Sequence, residues 1–199
     1  MKILHINEYD MAYLDIGEGL PIICIHGSLN DFRAWNAVLG PLSASNRLIV
    51  PSMRHYFPEQ WNGQGGHFRM DQHIDDTISF IEELDLGPVN LIGHSRGGHI
   101  SFRVGIKRPD LIRKLVLAEP GGTLEEGLMP ADAAKLSEGA GSRAHVAQSS
   151  ERIAAGDLEG GLRIFIDGIN GPGAWEKLPL VDRQMRADNA YTLLAQVNE

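Results

Sequence analysis

The feature that most constrains the fold of this chain is the run Gly93-His94-Ser95-Arg96-Gly97, a G-x-S-x-G pattern. A largely apolar segment, 89–92, comes before it and a segment with helical spacing follows, which predicts a sharp turn between a strand and a helix. Glycine is needed on both sides of such a turn, because a Cβ there would clash with the neighbouring backbone. The Ser95 hydroxyl is then exposed at the end of the strand, facing the amides that begin the helix. The pattern predicts Ser95 as a nucleophile.

A second motif lies nearer the N-terminus, where the apolar segment 21–25 is followed by His26-Gly27 and then by small and polar residues. A helix is predicted to begin near Asp31. His-Gly near the start of a chain, with Gly-His-Ser-Arg-Gly-Gly further on, resembles the α/β-hydrolase fold family. The resemblance covers residues 1–120 closely and the remainder loosely.

The resemblance implies roles for the residues around the turn. In this family the oxyanion hole uses the amide after the nucleophile, here Arg96, and an amide from the loop after His-Gly, here Ser28. Two such donors stabilise the negative oxygen of a tetrahedral intermediate, by a few kcal/mol each. In this family the residue at His26 supports the loop and is not the base. The glycines of the two motifs are expected to support the same geometry: Gly27, Gly93 and Gly97.

Strands and helices alternate along the first part of the chain, which predicts an α/β fold. We expect a mostly parallel, twisted sheet with flanking helices, in which residues 1–121 supply the first six strands of an α/β-hydrolase core that is incomplete at its C-terminus. Residues 122–199 differ in composition, being rich in Gly, Ala and Glu. In this family a helical lid or cap lies here and selects the substrates that fit. Helices are predicted over 131–140, 145–155, 158–169 and 185–197.

Composition narrows the classes of partner. A formal net charge of −8 argues against nucleic acid or an anionic membrane. The apolar runs are shorter than a membrane span requires, and the first residues lack the apolar stretch of a secretory signal. The single cysteine, Cys24, excludes an internal disulfide and predicts a cytoplasmic protein. No histidine pair has the spacing of a metal site, so we expect no metal. We also expect a small-molecule substrate and no cofactor. The oligomeric state is left open.

The catalytic base is harder to place. A serine hydroxyl is a weak nucleophile until a histidine removes its proton and a carboxylate orients that histidine. The family's chain order is Ser, acid, His, and only His99 and His145 follow Ser95. His99 lies four residues into the predicted helix, so its side chain projects away from the serine, and His145 lies in the predicted lid. We therefore expect the base, with the last strands of the sheet, to lie outside this chain.

Glu119 is the candidate for the acid. It ends the sixth predicted strand, and some members of the family place their acid after this strand. A carboxylate between an apolar strand and a glycine turn costs desolvation energy unless it has a partner. Two alternatives remain open: an aspartate outside the chain as the acid, and a structural ion pair between Glu119 and Arg96 or Arg103.

The loop 52–61 departs from the Asp-x-Arg-Gly-x-Gly pattern of the family and keeps only the arginine, as Arg54. Bulky side chains replace the aspartate and glycines. Two interpretations are open: the segment is a variant surface loop, or its side chains line an aromatic substrate pocket. The candidate lining residues are His55, Tyr56, Phe57 and Trp61.

These observations predict a serine hydrolase that cleaves a small ester or a related acyl compound through an acyl-enzyme at Ser95. A carbon–carbon bond hydrolase and a cofactor-free, peroxidase-like member are alternatives that keep Ser95 and differ in the lid. An alternative of another class is a hydrolase scaffold that binds a small ligand without turnover.

Overall fold

The computed structural model describes residues 1–122 and 144–197. Within these residues six strands form one sheet, in the order β1-β2-β4-β3-β5-β6. β1 pairs antiparallel with β2, and β2 with β4, whereas the three other neighbouring pairs are parallel. The predicted α/β fold with a mostly parallel sheet is confirmed. The strands are β1 (Lys2–Ile6), β2 (Tyr9–Ile16), β3 (Leu20–Ile25), β4 (Asn46–Pro51), β5 (Val89–His94) and β6 (Ile112–Ala118).

Helices flank the sheet and continue after the undescribed segment 123–143. Short 3-10 helices cover Phe32–Trp35 and Pro109–Leu111. Among the described residues, no helix is both long enough and apolar enough to span a membrane. The helices are α1 (Asn36–Ser43), α2 (Met70–Glu83), α3 (Arg96–Lys107), α4 (Ala144–Ala154), α5 (Leu158–Asn170), α6 (Ala174–Lys177), α7 (Leu180–Asp188) and α8 (Thr192–Gln196).

The core lies on the two central strands, β3 and β4. Ile23, Cys24 and Ile25 follow one another in β3, and all three are fully buried although their side chains point to alternate faces. Such continuous apolar runs are typical of strands covered by helices on both faces. Because β3 and β5 are parallel, their carboxyl ends meet at one edge of the sheet, which brings the two sequence motifs together.

Two helix predictions differ from the structure. The helix expected from Asp31 begins as the 3-10 turn Phe32–Trp35, because the Asp31 carboxylate accepts a hydrogen bond from the backbone N–H of Arg33 and caps that turn. The helix predicted over 185–197 is wrong as one element, since α7 ends at Asp188 and α8 begins at Thr192. Between the two helices, the Asn189 side chain forms hydrogen bonds with the Asp31 carboxylate and with the backbone N–H of Phe57, and neither group belongs to these helices.

The other helices predicted after residue 143 follow the pattern of the sequence. α4 and α5 cover the predicted segments 145–155 and 158–169, with ends shifted by a residue. They pack together through a separate apolar cluster that includes Ile153, Leu162 and Phe165. The predicted helix 131–140 lies outside the described residues.

Candidate active site

Ser95 occupies the turn between β5 and α3 with a strained backbone, φ 53° and ψ −122°. A non-glycine residue in such a conformation costs on the order of 1–3 kcal/mol and persists only where its surroundings impose it. The flanking glycines make room for the turn. A Cβ at Gly93 would collide with the carbonyl oxygen of Gly97, and a Cβ at Gly97 with the carbonyl oxygens of Ile25 and His26. The start of α3 therefore packs directly against the end of β3.

Backbone hydrogen bonds fix Ser95 from both sides. Its N–H donates to the carbonyl oxygen of Ala118 over 3.0 Å. Its own carbonyl oxygen accepts hydrogen bonds from the N–H groups of His99, at 3.1 Å, and Gly121, at 2.9 Å. The turn is thus tied to the end of β6 as well as to α3.

The loop after β3 lies against this turn. A Cβ at Gly27 would come within 2.9 Å of the Ser95 Cβ, so only glycine permits the observed approach. The next residue, Ser28, lines the same cavity as Ser95 and Arg96. The structure therefore brings together the three residues that the sequence motifs single out around one cavity.

His26 braces the loop from beneath. Its Nδ1 donates to the carbonyl oxygen of Gly27 over 2.9 Å, and its Nε2 accepts from the N–H of Met53 over 3.0 Å. The ring also lies edge-on to Tyr56, with 4.6 Å between ring centroids. Burial lowers the pKa of His26 to about 4. The neutral ring therefore holds these two hydrogen bonds, and His26 is not among the described residues that line the Ser95 cavity.

The side chain of Arg96 turns away from the backbone amide of the same residue and packs inside the protein. One guanidinium N–H group donates to Nδ1 of His73 over 3.1 Å, and the guanidinium lies 5.1 Å from the ring centroid of Phe68. Burial, and secondarily the charge of Arg96, hold the pKa of His73 well below its usual range. The imidazole therefore stays neutral, and its Nε2 donates to the carbonyl oxygen of Arg54.

The cavity beside Ser95 has a volume of about 550 Å³, within the range of small-molecule sites. Its apolar wall comes from α2 and from residues 144–197 and includes Met70, Val146, Phe165, Ile169 and Val197. Its polar lining comprises Ser28, Ser95, Arg96, His99, His145 and Gln196. None of the described lining residues is acidic.

His99 and His145 share this cavity with the serine. His99 is buried in the first turns of α3. His145 lies near the start of α4, with its ring edge-on to Phe165 at 5.9 Å between centroids. The sequence predicts both helices but not that they meet here, because the direction in which α4 faces depends on how the helices of residues 144–197 pack on the sheet.

Glu119 lies at the end of β6, directly after the residue that accepts the Ser95 N–H. Its backbone has φ 46°, and its side chain is exposed to solvent. It is not among the described residues that line the Ser95 cavity. Because the Glu119 carboxylate stays in contact with solvent, it avoids the desolvation cost that its apolar neighbours in the sequence suggested.

The aromatic loop 52–61 packs inward and away from the serine. None of its residues is among the described residues that line the Ser95 cavity. Tyr56 is buried in the core, and His55 stacks on Trp61 with 4.5 Å between ring centroids. Arg54 forms a buried ion pair with Asp76 at 2.7 Å. Over the described ranges, no three His, Cys, Asp or Glu side chains come close enough to hold a metal ion.

Known proteins share this sequence pattern. A family model described as the alpha/beta hydrolase fold matches residues 21–156. The 2-hydroxymuconate semialdehyde hydrolase of Pseudomonas sp. (strain CF600) is 29% identical over 120 residues, which are 57% of this chain and 42% of that protein. The 2-hydroxy-6-oxo-2,4-heptadienoate hydrolase of Pseudomonas putida is 31% identical over 106 residues, 52% of this chain and 38% of that protein. The chain thus spans about two fifths of the length of the curated relatives it matches.

Solved structures share the fold. A crystal structure of an epoxide hydrolase from Vigna radiata has a TM-score of 0.71 at 18% identity, covering 99% of this chain and 71% of that one. The matched family model extends over most of the described sheet and includes both loops that meet at Ser95. With its sheet order and strained serine turn, the chain belongs to the alpha/beta hydrolase fold family.

Proposed function

We propose that this protein is a serine hydrolase that cleaves a small ester or a related acyl compound through an acyl-enzyme at Ser95. The observation that carries the proposal is the strained turn at Ser95, which opens onto a cavity lined also by Ser28 and Arg96. Strain of this kind concentrates at functional sites, where surrounding structure over-determines the conformation. The hydrolase names of the sequence relatives support the same class of reaction.

The reaction runs in two halves. The Ser95 Oγ attacks the acyl carbon while a base takes the hydroxyl proton, and the carbonyl oxygen becomes an oxyanion. The backbone N–H groups of Ser28 and Arg96 donate hydrogen bonds to that oxygen. Collapse of the intermediate breaks the bond to the leaving alcohol, which takes the proton from the base. Water then attacks the acyl-enzyme in the same way and releases the acid and the free serine.

A histidine outside these 199 residues is proposed as the base, since the chain spans about two fifths of the length of its curated relatives. His99 is the weaker internal candidate, because it lies only four residues after Ser95, in the helix that begins at the serine turn. His145 is the stronger one, because it faces the cavity from the cap. Glu119 is proposed as the acid on the strength of its position beside Ser95 at the end of β6.

Covalent labelling tests the nucleophile. A fluorophosphonate probe is expected to modify the complete gene product, with any sequence beyond these 199 residues, at Ser95 and to leave its Ser95→Ala variant unmodified. Ser43→Ala, which removes a surface hydroxyl at the end of α1, is the matched control and should label like the wild type. Absence of labelling in the wild type, with ligand still bound by Ser95→Ala, would support a binding scaffold instead. Loss of labelling in His145→Ala would assign the base to the cap.

Carbon–carbon bond hydrolysis is the second candidate. It is favoured by the activities for which two relatives are named, the 2-hydroxymuconate semialdehyde and 2-hydroxy-6-oxo-2,4-heptadienoate hydrolases. The absence of acidic residues from the described lining also suits an anionic substrate. Rates on a 2-hydroxy-6-oxo-dienoate and on nitrophenyl esters, measured side by side, decide between the two reactions.

A further inference from the structure

One side chain of the cap reaches the loop that carries Ser28. Asn189 follows α7 and is almost completely buried. Its Nδ2 donates to the Asp31 carboxylate over 2.7 Å, and its Oδ1 accepts from the backbone N–H of Phe57 over 2.7 Å. A third hydrogen bond, from Nδ2 to the carbonyl oxygen of Met185, is 2.8 Å long. A single amide thus joins the cap to two loops of the sheet edge.

Asp31 is the centre of this arrangement. It is fully buried. Its carboxylate accepts hydrogen bonds from Nε and from one terminal nitrogen of Arg33, at 2.9 and 2.7 Å. The same guanidinium bonds Asp188 at 2.8 Å, beside Asn189, and lies 3.9 Å from the ring centroid of Phe57. The end of α7 therefore contacts the start of the 3-10 turn through both a neutral amide and an ion pair.

The loop between Asp31 and the serine turn is short and internally bonded. The N–H of Asn30 donates to the carbonyl oxygen of Gly27 over 3.3 Å, and the Asn30 side-chain amide donates to the carbonyl oxygen of Ser28 over 3.2 Å. Gly27 in turn touches Ser95. A displacement of Asp31 is therefore passed along the loop to Ser28, and an oxyanion donor is effective only within a few tenths of an ångström of its position.

We propose that Asn189 is a positioning residue that sets the Ser28 amide against Ser95 and makes that placement depend on the seating of the cap. The inference rests on the proposed function of Ser28 in the oxyanion hole. In this proposal Asn189 acts through Asp31 and not by contact with the substrate. The cap then does more than enclose the cavity: its position determines whether the oxyanion hole is formed.

Exchanging the two side chains tests this directly. Asn189→Asp places a carboxylate against Asp31 with no donor between them, and Asp31→Asn leaves two amides. The double variant restores one donor facing one acceptor at unchanged net charge. We expect Asn189→Asp to lower kcat for ester hydrolysis on the order of tenfold, with KM nearly unchanged, because a misplaced oxyanion donor weakens only the transition state. The double variant should recover part of that loss, because it restores the bond between positions 31 and 189 but not the bond to the Met185 carbonyl oxygen.

Ser149→Ala provides the control for cap stability. It removes a buried hydrogen bond from Ser149 Oγ to the carbonyl oxygen of Gly161, 2.6 Å long and confined to the cap. It should lower the melting temperature without lowering kcat. The proposal would be overturned if kcat fell in parallel with the melting temperature in all variants. It would also be overturned if kcat of the double variant were no higher than that of Asn189→Asp.

Hydrogen exchange separates this inference from the function on which it rests. The peptide covering 26–31 should exchange faster in Asn189→Asp than in the wild type, and more slowly in the double variant than in Asn189→Asp. If the complete wild-type gene product fails to react with fluorophosphonate, the proposed hydrolase is wrong. If the wild type reacts but exchange in 26–31 is the same in every variant, only the role of Asn189 is wrong.

Discussion

Gly27 lies so close to Ser95 that a Cβ on the glycine would stand 2.9 Å from the Cβ of the serine and 3.2 Å from the carbonyl oxygen of His94. We expect Gly27→Ala to push the loop off the serine turn and to slow fluorophosphonate labelling on the order of tenfold or more, through displacement of the Ser28 amide. Overpacking should cost about 1–3 kcal/mol of stability as well. Gly40→Ala is the control: the added methyl meets no atom within 4 Å. It should label normally, and equal labelling of the two variants would contradict the prediction.

The buried ion pair between Arg54 and Asp76 should be sensitive to the loss of one partner. Asp76→Asn leaves the Arg54 guanidinium buried without its counter-charge, and we expect a loss of about 3–5 kcal/mol in the free energy of unfolding. The neighbouring Asp75 pairs with Lys107 at 2.7 Å, but both side chains are more than half exposed. Asp75→Asn should therefore cost less than about 1 kcal/mol. Urea denaturation of the two variants measures the difference, and similar losses would refute the argument from burial.

Acid should destabilise the fold through its buried histidines. The pKa of His26 is lowered to about 4 by burial, whereas an unfolded chain takes up this proton near the ordinary value of about 6.5. Between these values the unfolded state binds more protons, so the free energy of unfolding falls as the pH drops from about 6.5 towards 4. The contribution of His26 is on the order of 3 kcal/mol over that interval. Above about pH 6.5 it is constant.

Denaturation curves at pH 7, 5.5 and 4.5 measure this slope. His26→Gln should give a shallower dependence than the wild type, because the group whose pKa differs between the folded and unfolded states is gone. Comparison with His5→Gln, which removes an exposed imidazole, isolates the contribution of burial. An unchanged slope in His26→Gln would show that other groups govern the acid transition.

Glu119 offers a test of the acid. If its carboxylate orients the base, Glu119→Gln should lower kcat on the order of a hundredfold or more and leave the melting temperature nearly unchanged, since the side chain is exposed. Glu83→Gln, an exposed position at the end of α2, is the matched control. Equal activity in the two variants would remove Glu119 from the mechanism.

The motifs around Ser95 and Gly27 could be identified in the sequence because their geometry is local. A serine between two glycines, after an apolar strand and before a helix, has few backbone solutions. The alternation of strands and helices likewise predicts the mostly parallel sheet, since short connections leave little choice of topology. These parts of the fold depend on residues that are neighbours in the chain.

Other features depend on contacts between distant residues and could not be predicted. Asn189 and Asp31 are 158 positions apart, so the break between α7 and α8 has no local signal. The exposure of Glu119 depends on the place of its strand, because β6 lies at the end of the described strand order. Its apolar residues therefore do not imply burial on both sides, as Val116, 51% exposed, also illustrates.

The hydrogen bonds of the two buried imidazoles also bear on enzyme kinetics. Nε2 of His26 and Nδ1 of His73 each accept a hydrogen bond from a fixed donor, so neither ring can gain a proton without breaking its contact. With both pKa values lowered by burial, neither ring is expected to change its protonation state near neutral pH. An inflection of the pH–rate profile near neutrality would therefore come from a group other than these two imidazoles.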